Sequence, residues 1–464
     1  MRPRDYTSLL NELSTEYERH APQSAALHRR ANQVMVDGGS HSLRLIKPFP
    51  PRIVRAQGAW VRDEDGHDIL DFWQGHYADI LGHNPPVVTS ALAQAFCSGW
   101  GLQTGFTDRL QIEVAEILCR QTGAERVRFT TSGSLATMYA IMLARAFTGR
   151  QVVLKVGGGW HGGNPWGLVG AHFADGPHPW AVESQGLPSS VGDEVVITRY
   201  NDPEHLRRHF REVGNRMSCF IVEPFMGAGG FILATGEYLH TARQLADQYG
   251  VVLIFDEVIS GFRFRAGNLG ALYGVQPDLT TLAKIAGGGM PLAAVAGRAD
   301  IMALCGRAGG SKVSFSGGTY SGHPATMLAA KTLLSYLVEH EAEIYPRIGR
   351  LGALARQAVE EAFASEGIFA RCSSHPNDVI PLSSLLAPQF PYDRERPHLS
   401  PDDLNDPALA DTVLRDKVLQ LALLLEDIHV VHGGGAVGAA HTEEDIARFA
   451  AGCRRVAKRL RPYL

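Results

Sequence analysis

The stretch VVLIFDEVISGFRFRAGNLGALYGVQPDLTTLAKIAGGGMPLAA, residues 251–294, decides which fold the chain is expected to adopt. Five apolar residues lead directly into Asp256 and Glu257, and Lys284 stands 28 positions after Asp256, just before three glycines. A short apolar run of this kind is typical of a buried strand. The stretch therefore predicts a carboxylate at the end of a buried strand and an amine in apolar surroundings.

Lysine is a rare residue in this chain. There are seven lysines among 464 residues, against 37 arginines. Because arginine is used where positive charge alone is needed, a lysine between an apolar strand and a glycine run indicates chemistry that requires an amine. Lys155 follows a similar apolar run, so the role of Lys284 has to be inferred from the motifs around it.

Composition excludes several classes of protein. Hydrophobic residues make up 45% of the chain and charged residues 20%, as in an ordinary soluble protein of two or three domains. A net charge of -4 argues against a nucleic-acid partner, and no apolar run approaches the ~18 residues that cross a bilayer. The N-terminus has no hydrophobic signal core, and the six cysteines form no CxxC pair. We therefore expect a cytoplasmic protein that contacts no membrane and has no disulfide frame or metal site.

Three zones follow one another along the chain. Residues 1–85 combine an N-terminal helix with short strands, including a hairpin around the turn at residues 64–66. In residues 86–325 short apolar runs alternate with helical patterns, which predicts a large α/β domain whose mostly parallel sheet is covered by helices on both faces. Residues 326–464 form a C-terminal zone rich in helices.

Four polar motifs follow separate predicted strands of the middle zone. They are the turn at residues 131–134, the pair Trp160 and His161, Glu223, and Asp256. In an open parallel sheet, ligands bind outside the C-terminal ends of the strands. We therefore expect these motifs to converge on one edge of the sheet.

The motifs TTSGSLAT (residues 130–137) and GGGWHGG (residues 157–163) each allow two interpretations. The first is a strand-to-helix turn whose free N–H groups suit a phosphate, with the Ser132 and Ser134 hydroxyls as added donors; its alternative is ordinary helix capping. The second places Trp160 where it could stack on a planar ring; its alternative is an exposed surface loop.

Asp256 and Lys284 complete the pattern. A buried carboxylate at a strand end needs a cationic partner, either a protonated pyridine nitrogen or, as a purely structural alternative, an arginine such as Arg263. Apolar surroundings disfavour the charged form of a lysine and so make its amine available as a nucleophile or base. A phosphate-binding turn, a stacking aromatic residue, a carboxylate for a pyridine nitrogen and a Schiff-base lysine together describe a site for pyridoxal 5'-phosphate.

These residues resemble a known family. The motifs LIFDEVISGFR, GVQPDLTTLAKIAGGGMPLAAVAGR and GGTYSGHPATMLAA are similar to those of the class III pyridoxal-phosphate aminotransferases, in particular the glutamate-1-semialdehyde 2,1-aminomutase branch. The resemblance implies fold type I, with a large cofactor domain and a smaller α+β domain built from both termini. It makes Lys284 the Schiff-base lysine and acid–base group and Asp256 the partner of the pyridine nitrogen.

The resemblance also implies the remaining cofactor contacts. Val258 and Trp160 would lie on the two faces of the ring, and the phosphate would bind at Ser132, Gly133 and Ser134. Other expected contacts come from His161 and Glu223 of the same chain, and from Gly318 and Thr319, which the family sends across a homodimer interface to the neighbouring cofactor.

Several positions depart from the family pattern and bear on function. Leu135 stands where the family usually has Glu, Ala228 removes a gating glutamate, and HGGG at residues 432–435 lacks the acidic residue of the aminomutase. HGGG and FWQGHYADILGH, which contains His76, resemble D-phenylglycine aminotransferase more. Arg44 matches the arginine that binds the substrate carboxylate in this branch, with a surface salt bridge as its alternative. Candidate substrate contacts are Arg44, His76 and His432.

These departures favour an aminotransferase that uses an amino donor and a carbonyl acceptor. An intramolecular aminomutase and an amino-acid racemase on the same scaffold stay open as alternatives. A non-catalytic cofactor-binding protein is a further alternative, which Leu135 favours and the retention of Lys284 and Asp256 opposes.

Overall fold

A seven-stranded sheet forms the centre of the computed structural model, which describes residues 4–172, 182–308, 310, 312–431 and 433–463. Its pairings are parallel except that Ala293–Gly297 runs antiparallel to both of its neighbours. The fold is therefore α/β with a mostly parallel mixed sheet, as predicted. From one edge to the other, the strands are Arg126–Thr130, Ala293–Gly297, Leu279–Leu282, Val252–Glu257, Met217–Val222, Val152–Val156 and Val195–Thr198.

Helices cover both faces of this sheet. On the strand Ala293–Gly297, Ala293 and Val295 pack in the cluster that contains the helix Gly133–Thr148, whereas Ala294 and Ala296 pack in the cluster that contains the helix Pro324–Glu339. Burial on two faces explains why the central strands are apolar runs and do not alternate between apolar and polar residues.

The helices begin and end where the sequence carries capping residues. The helix Gly133–Thr148 starts at the N-cap Ser132 and ends before Gly149, whose φ is 69°. The helices of ten or more residues in the described part of the chain are Thr7–His20, Pro22–Ala31, Pro86–Cys97, Arg109–Thr122, Gly133–Thr148, Pro203–Val213, Gly236–Tyr249, Pro324–Glu339, Glu341–Ala364 and Glu443–Leu460.

A smaller four-stranded sheet combines both ends of the chain. The predicted hairpin is present, since Trp60–Asp63 pairs antiparallel with Asp68–Asp71. Ile53–Gln57 flanks it on one side, and the C-terminal strand Ile428–His429 runs parallel to Asp68–Asp71 on the other. The core beside this sheet contains residues from the N-terminal helix and from the helices Glu341–Ala364 and Glu443–Leu460. A small α+β unit therefore draws on both termini; the boundaries at residues 85 and 325 stay predictions.

Short elements complete the described chain, and none of its helices is long and apolar enough to span a membrane. Two-residue strand pairs join Phe225–Met226 to Ile232–Leu233, Arg371–Cys372 to Pro388–Gln389, and Leu385–Leu386 to Gly435–Ala436. Apart from 3-10 turns such as Lys284–Gly287, the short helical segments are Gln74–Tyr77, Ser190–Asp193, Ala299–Met302, Pro401–Asn405, Leu414–Val418 and Leu419–Leu424.

Candidate active site

A cavity of about 310 Å³ opens beyond the C-terminal ends of the parallel strands. The structure brings the four predicted motifs together there, because parallel strands present their C-terminal ends at one edge. Among the residues that line the cavity are Thr131, Ser132, Gly133, Ser134, Trp160, His161, Glu223, Asp256, Val258 and Lys284.

Lys284 lies on the wall of this cavity, two residues beyond the strand Leu279–Leu282. Its φ is 49°, a left-handed conformation that costs a non-glycine residue about 1–3 kcal/mol and that is concentrated at functional sites. Burial lowers the pKa of the Lys284 amine below its ordinary value, although the nearby charges of Asp256 and Glu223 oppose this shift. A larger share of the Lys284 side chains therefore carries the neutral, reactive amine.

Asp256 is buried at the end of the strand Val252–Glu257 and is fixed by three donors. Its Oδ1 accepts hydrogen bonds from the backbone N–H of Val258 at 3.1 Å and from the Thr281 hydroxyl at 3.0 Å. Its Oδ2 lies 2.8 Å from Nδ1 of His161. These contacts hold the carboxylate in one orientation at the cavity wall.

His161 supports Asp256 from the other side. Its ring is buried, and its Nε2 has no hydrogen-bond partner among the described residues. Burial lowers the pKa of His161, while the hydrogen bond to Asp256 opposes that shift. The imidazole is therefore held neutral, with its Nδ1 proton donated to the carboxylate.

Glu223 fixes the loop that carries Trp160. Its Oε1 accepts the Trp160 N–H at 3.0 Å, and its Oε2 accepts the Gly227 N–H at 3.0 Å. Burial, and next the charge of Asp256, raises the pKa of Glu223 to about 8. Glu223 therefore holds the Trp160 loop through two backbone N–H groups, one on each carboxyl oxygen.

The turn at residues 131–134 begins the helix Gly133–Thr148. The Ser132 hydroxyl accepts the Leu135 N–H, so this side chain caps the helix. Helix capping was the alternative to a phosphate contact for this hydroxyl. The first N–H groups of the helix, at Gly133 and Ser134, have no intrahelical acceptor and are the ones that can bind a phosphate. The Ser134 Oγ accepts the Gly163 N–H at 3.0 Å, which joins this turn to the Trp160 loop.

Trp160 and Val258 both line the cavity. The Trp160 side chain is 40% exposed and its ring centroid lies 5.7 Å from that of His172. A Cβ placed on Gly133 would come within 3.2 Å of the Val258 methyl groups, so glycine lets the phosphate-binding turn approach the valine closely.

Gly318 and Thr319 lie outside the site cavity, on the exposed surface of the chain. A Cβ built on Gly318 would lie 3.6 Å from the hydroxyl of Thr131, which itself lines the cavity. The expected contact of Gly318 and Thr319 with the cofactor of a neighbouring subunit stays a prediction.

Arg44 is exposed and lies on the wall of a second cavity of about 850 Å³, together with Trp73 and Gly75. No ion pair of Arg44 is found within the described ranges, which disfavours the salt-bridge alternative. Three positions earlier, His41 lines the site cavity, and burial, then Arg44 and then Lys284 lower the pKa of His41. The Arg44 charge therefore acts on His41 of the site cavity, while Arg44 itself lines the second cavity.

His76 belongs to a turn with left-handed backbone conformation. The φ angles of Gln74, His76 and Tyr77 are 48°, 62° and 67°. The His76 ring centroid lies 4.7 Å from that of His41 and 4.4 Å from that of Trp73. His76 thus borders the residues around the site mouth, whereas His432 lies outside the described residues.

A buried ionic cluster holds this turn. Asp71 accepts the backbone N–H groups of Trp73 and Gln74, each at 2.9 Å. The same carboxylate lies 2.8 Å from Nε2 of His83 and 2.9 Å from Nδ1 of His429. Burial opposes the charge on His83, but its bonds to Asp71 and Asp79 prevail and raise its pKa to about 9.

Two residues near the site have purely structural contacts. The buried Lys155 amine donates to the carbonyl oxygens of Gly167 at 3.2 Å and Val169 at 2.7 Å. Glu257, adjacent to Asp256, accepts the N–H groups of Leu269 and Gly270. Because side chains alternate along a strand, Asp256 faces the cavity while Glu257 anchors the following loop.

The geometry fits pyridoxal 5'-phosphate. One cavity contains a lysine amine of lowered pKa, an oriented carboxylate and a helix N-terminus. A Cβ on Gly162 would lie 2.5 Å from the Ser134 Oγ, so glycine is required where the Trp160 loop meets the phosphate-binding turn. Lys284 would hold the cofactor covalently, Asp256 would bind its ring nitrogen, and Gly133 and Ser134 would bind its phosphate.

Comparison with known proteins agrees with this geometry. The profile of the family described as Aminotransferase class-III matches residues 45–369. A glutamate-1-semialdehyde 2,1-aminomutase of Methanoculleus marisnigri is 39% identical over 362 residues, which cover 76% of this chain and 83% of that protein. A protein of the same name from Methanothrix thermoacetophila is 35% identical, covering 73% of this chain and 76% of its own.

Solved structures show the same relationship over a larger share of the chain. An omega-transaminase from Sphaerobacter thermophilus is 29% identical with a TM-score of 0.85, and covers 94% of this chain and 97% of its own. A beta-phenylalanine aminotransferase from Variovorax paradoxus is 28% identical with a TM-score of 0.84, and covers 98% of each chain. A transaminase with the cofactor bound is 29% identical with a TM-score of 0.82, and the match covers 95% of this chain and 98% of that chain. The chain therefore belongs to the class III aminotransferases, enzymes that depend on pyridoxal 5'-phosphate.

Proposed function

We propose that this enzyme is an aminotransferase that moves an amino group from a carboxylate-bearing amino donor to a separate carbonyl acceptor. The observation that carries the proposal is the joint placement of the Lys284 amine and the Asp256 carboxylate on one cavity wall, to which His41, three residues before Arg44, also belongs. When bound, the cofactor supplies an electron-withdrawing ring that stabilises a carbanion at the substrate α-carbon.

The chain's own groups then have distinct tasks. The neutral amine of Lys284 would take the proton from the α-carbon of the donor and deliver it to C4' of the cofactor. Asp256 accepts hydrogen bonds from His161, Thr281 and Val258, and it would bind the ring nitrogen of the cofactor. Arg44 binds the substrate carboxylate, a task for which its two-pronged guanidinium is suited.

We further propose that the active unit is a homodimer. Exposed apolar side chains lie beside Gly318 and Thr319: Leu102 is 74% exposed, Phe106 is 73% exposed and Tyr320 is 63% exposed. Gln111 donates to the carbonyl oxygens of both Phe106 and Gly322, which places the two loops next to each other. Clustered exposed apolar side chains are typical of a protein–protein interface.

The second candidate is an intramolecular 2,1-aminomutase of the glutamate-1-semialdehyde type. The names of the curated relatives favour this candidate over the first. One observation favours the aminotransferase: HGGG at residues 432–435 lacks the acidic residue of the mutase motif.

A donor-only reaction separates the two candidates. Cofactor-loaded enzyme is mixed with one amino acid at a time, without any acceptor, and the keto acid formed per active site is counted. The aminotransferase yields one equivalent and stops until a carbonyl acceptor is added. Continuous turnover of glutamate-1-semialdehyde alone, with no keto acid released from any donor, would establish the mutase instead.

A further inference from the structure

His41 lines the same cavity as Lys284 and Asp256. It directly precedes the 3-10 turn Ser42–Arg44 and has an extended backbone, with a φ of -146° and a ψ of 120°. Its imidazole lies beside that of His76, with ring centroids 4.7 Å apart. A histidine on the wall of a catalytic cavity can contact the substrate, and its tautomer decides whether it does so as a donor or as an acceptor.

The backbone of the turn fixes the tautomer of His41. Nδ1 accepts the Leu43 N–H at 3.3 Å, so the proton of the neutral ring is on Nε2. Burial, and next the charges of Arg44 and Lys284, lowers the pKa of His41, which favours the neutral ring. The contact with Leu43 is the only hydrogen bond of this ring within the described ranges. His41 therefore brings one unused N–H donor to the cavity.

The same histidine holds the turn that carries Arg44. Its side chain accepts the Leu43 N–H, and its carbonyl oxygen accepts the Arg44 N–H at 2.9 Å. A side chain that accepts an N–H of the first turn caps a helical segment. A substitution at position 41 can therefore act through the cap or through the Nε2 donor, and an experiment has to separate the two.

The surroundings of His41 favour an anionic acceptor for its N–H. The charges that act on the ring, those of Arg44 and Lys284, are both positive, and such surroundings attract an anion. A donor that reacts at Lys284 has its amino-bearing carbon next to that amine. Arg44 lines the second cavity, whereas His41 lines the site cavity, so a carboxylate close to Lys284 reaches His41 before Arg44.

We propose that His41 binds the substrate, with its Nε2–H donating a hydrogen bond to the carboxylate of the amino donor. This inference rests on the proposed function in one respect, because it takes the donor to carry a carboxylate. A neutral imidazole adds a directed bond without placing a third positive charge beside Arg44 and Lys284, which would repel it. The carboxylate is then bound by two residues of one turn, His41 inside the site cavity and Arg44 beyond it.

Binding of two unreactive amines tests this contact. In 2-methylalanine and tert-butylamine a carboxylate and a methyl group occupy the same place, and neither compound has the proton that Lys284 would remove. Each is titrated into cofactor-loaded enzyme, and its dissociation constant is read from the change in cofactor absorbance. Since neither probe reacts further, the affinities are obtained whether the enzyme is an aminotransferase or an aminomutase. Failure of the proposed function is therefore distinguishable from failure of this contact.

Two substitutions separate the donor from the cap. His41→Asn keeps an acceptor for the Leu43 N–H, because Asn is a preferred capping residue, but it is too short to replace Nε2–H. His41→Gln places an amide N–H near the position of Nε2 and is the poorer cap. We expect His41→Asn to bind 2-methylalanine about ten- to a hundredfold more weakly and tert-butylamine within about threefold of wild type. His41→Gln should keep most of the affinity for 2-methylalanine.

His340→Asn is the matched control. His340 also stands at a helix N-cap and does not line the site cavity, so the same substitution there should leave both affinities unchanged. Four results would overturn the proposal: equal affinity of the wild type for both probes, equal weakening of both probes in His41→Asn, a loss of cofactor affinity in its place, or a loss in His41→Gln at least as large as in His41→Asn. The second and third would assign the donor to the cofactor, and the fourth would make His41 a cap alone.

Discussion

Replacing Asp256 by Asn removes one negative charge from the site and changes little else. Asn keeps a carbonyl oxygen that can accept the donors now 3.1 Å and 3.0 Å away, Val258 N–H and the Thr281 hydroxyl. Its amide group, however, would face Nδ1 of His161 with a donor where the carboxylate offered an acceptor. The ring nitrogen of the cofactor loses its anionic partner at the same time.

The size of the effect follows from burial. Asp256 is 4% exposed, so the contact with a protonated ring nitrogen is a buried ionic pair. Removing one partner of such a pair costs about 3–5 kcal/mol. Since 1.36 kcal/mol corresponds to a factor of ten in rate, the first half-reaction should slow by about two to four decades.

Stopped-flow measurement of the donor half-reaction at saturating cofactor checks this value. Glu257→Gln is the matched control: it alters the next carboxylate on the same strand, which anchors Leu269 and Gly270 and does not line the cavity. This control should lower the thermal midpoint and keep the rate per folded site. A rate within tenfold of wild type for Asp256→Asn, or an equal loss in both variants, would refute the reasoning.

Three further outcomes are expected. Arg44→Lys should lower kcat/KM for carboxylate-bearing donors by about ten- to a hundredfold and leave the corresponding decarboxylated amines unaffected, because the two-pronged, charge-assisted bond is worth about 1.5–3 kcal/mol. Gly162→Ala should weaken cofactor retention in dialysis, since its Cβ would lie 2.5 Å from the Ser134 Oγ, whereas Gly163→Ala, which meets nothing within 4 Å, should not. The pKa of His83 is raised to about 9, so its ion pair with Asp71 and Asp79 stabilises the folded protein fully below about pH 6.5. As the pH rises through 9, the free energy of unfolding should fall by roughly 1–2 kcal/mol, a value that already allows for solvent screening.

Local patterns in the sequence predicted much of the fold and the convergence of four motifs on one cavity. The apolar runs, the hairpin turn and the helix caps are local signals, and the structure has strands or helices at each of them. The strands Leu279–Leu282 and Val195–Thr198 were not predicted, because LTTL and VVIT are short and lack the long apolar run of Val252–Glu257. The missed strand Leu279–Leu282 carries Thr281, and so this donor to Asp256 was missed too.

Contacts between distant segments could not be predicted. His41 lies three residues before Arg44, yet no local pattern places it on the cavity wall. The resemblance assigned the cofactor carboxylate to Asp256, and the strand gives the physical reason, because it turns Asp256 toward the cavity and Glu257 toward the following loop. The different roles of Lys284 and Lys155 could not be read from local sequence either. The Lys155 amine is bound by the carbonyl oxygens of residues 12 and 14 positions further along the chain, and only the fold brings these groups together.

The identity of the lysine that holds the cofactor is the most direct test of the account. The holoenzyme is reduced with borohydride, digested, and its peptides are weighed by mass spectrometry. The account predicts that the mass of the reduced cofactor is attached to Lys284, and that Lys284→Ala yields a folded protein without this modification and without turnover. Attachment to Lys155, or unmodified Lys284 in an enzyme that still transfers amino groups, would contradict it.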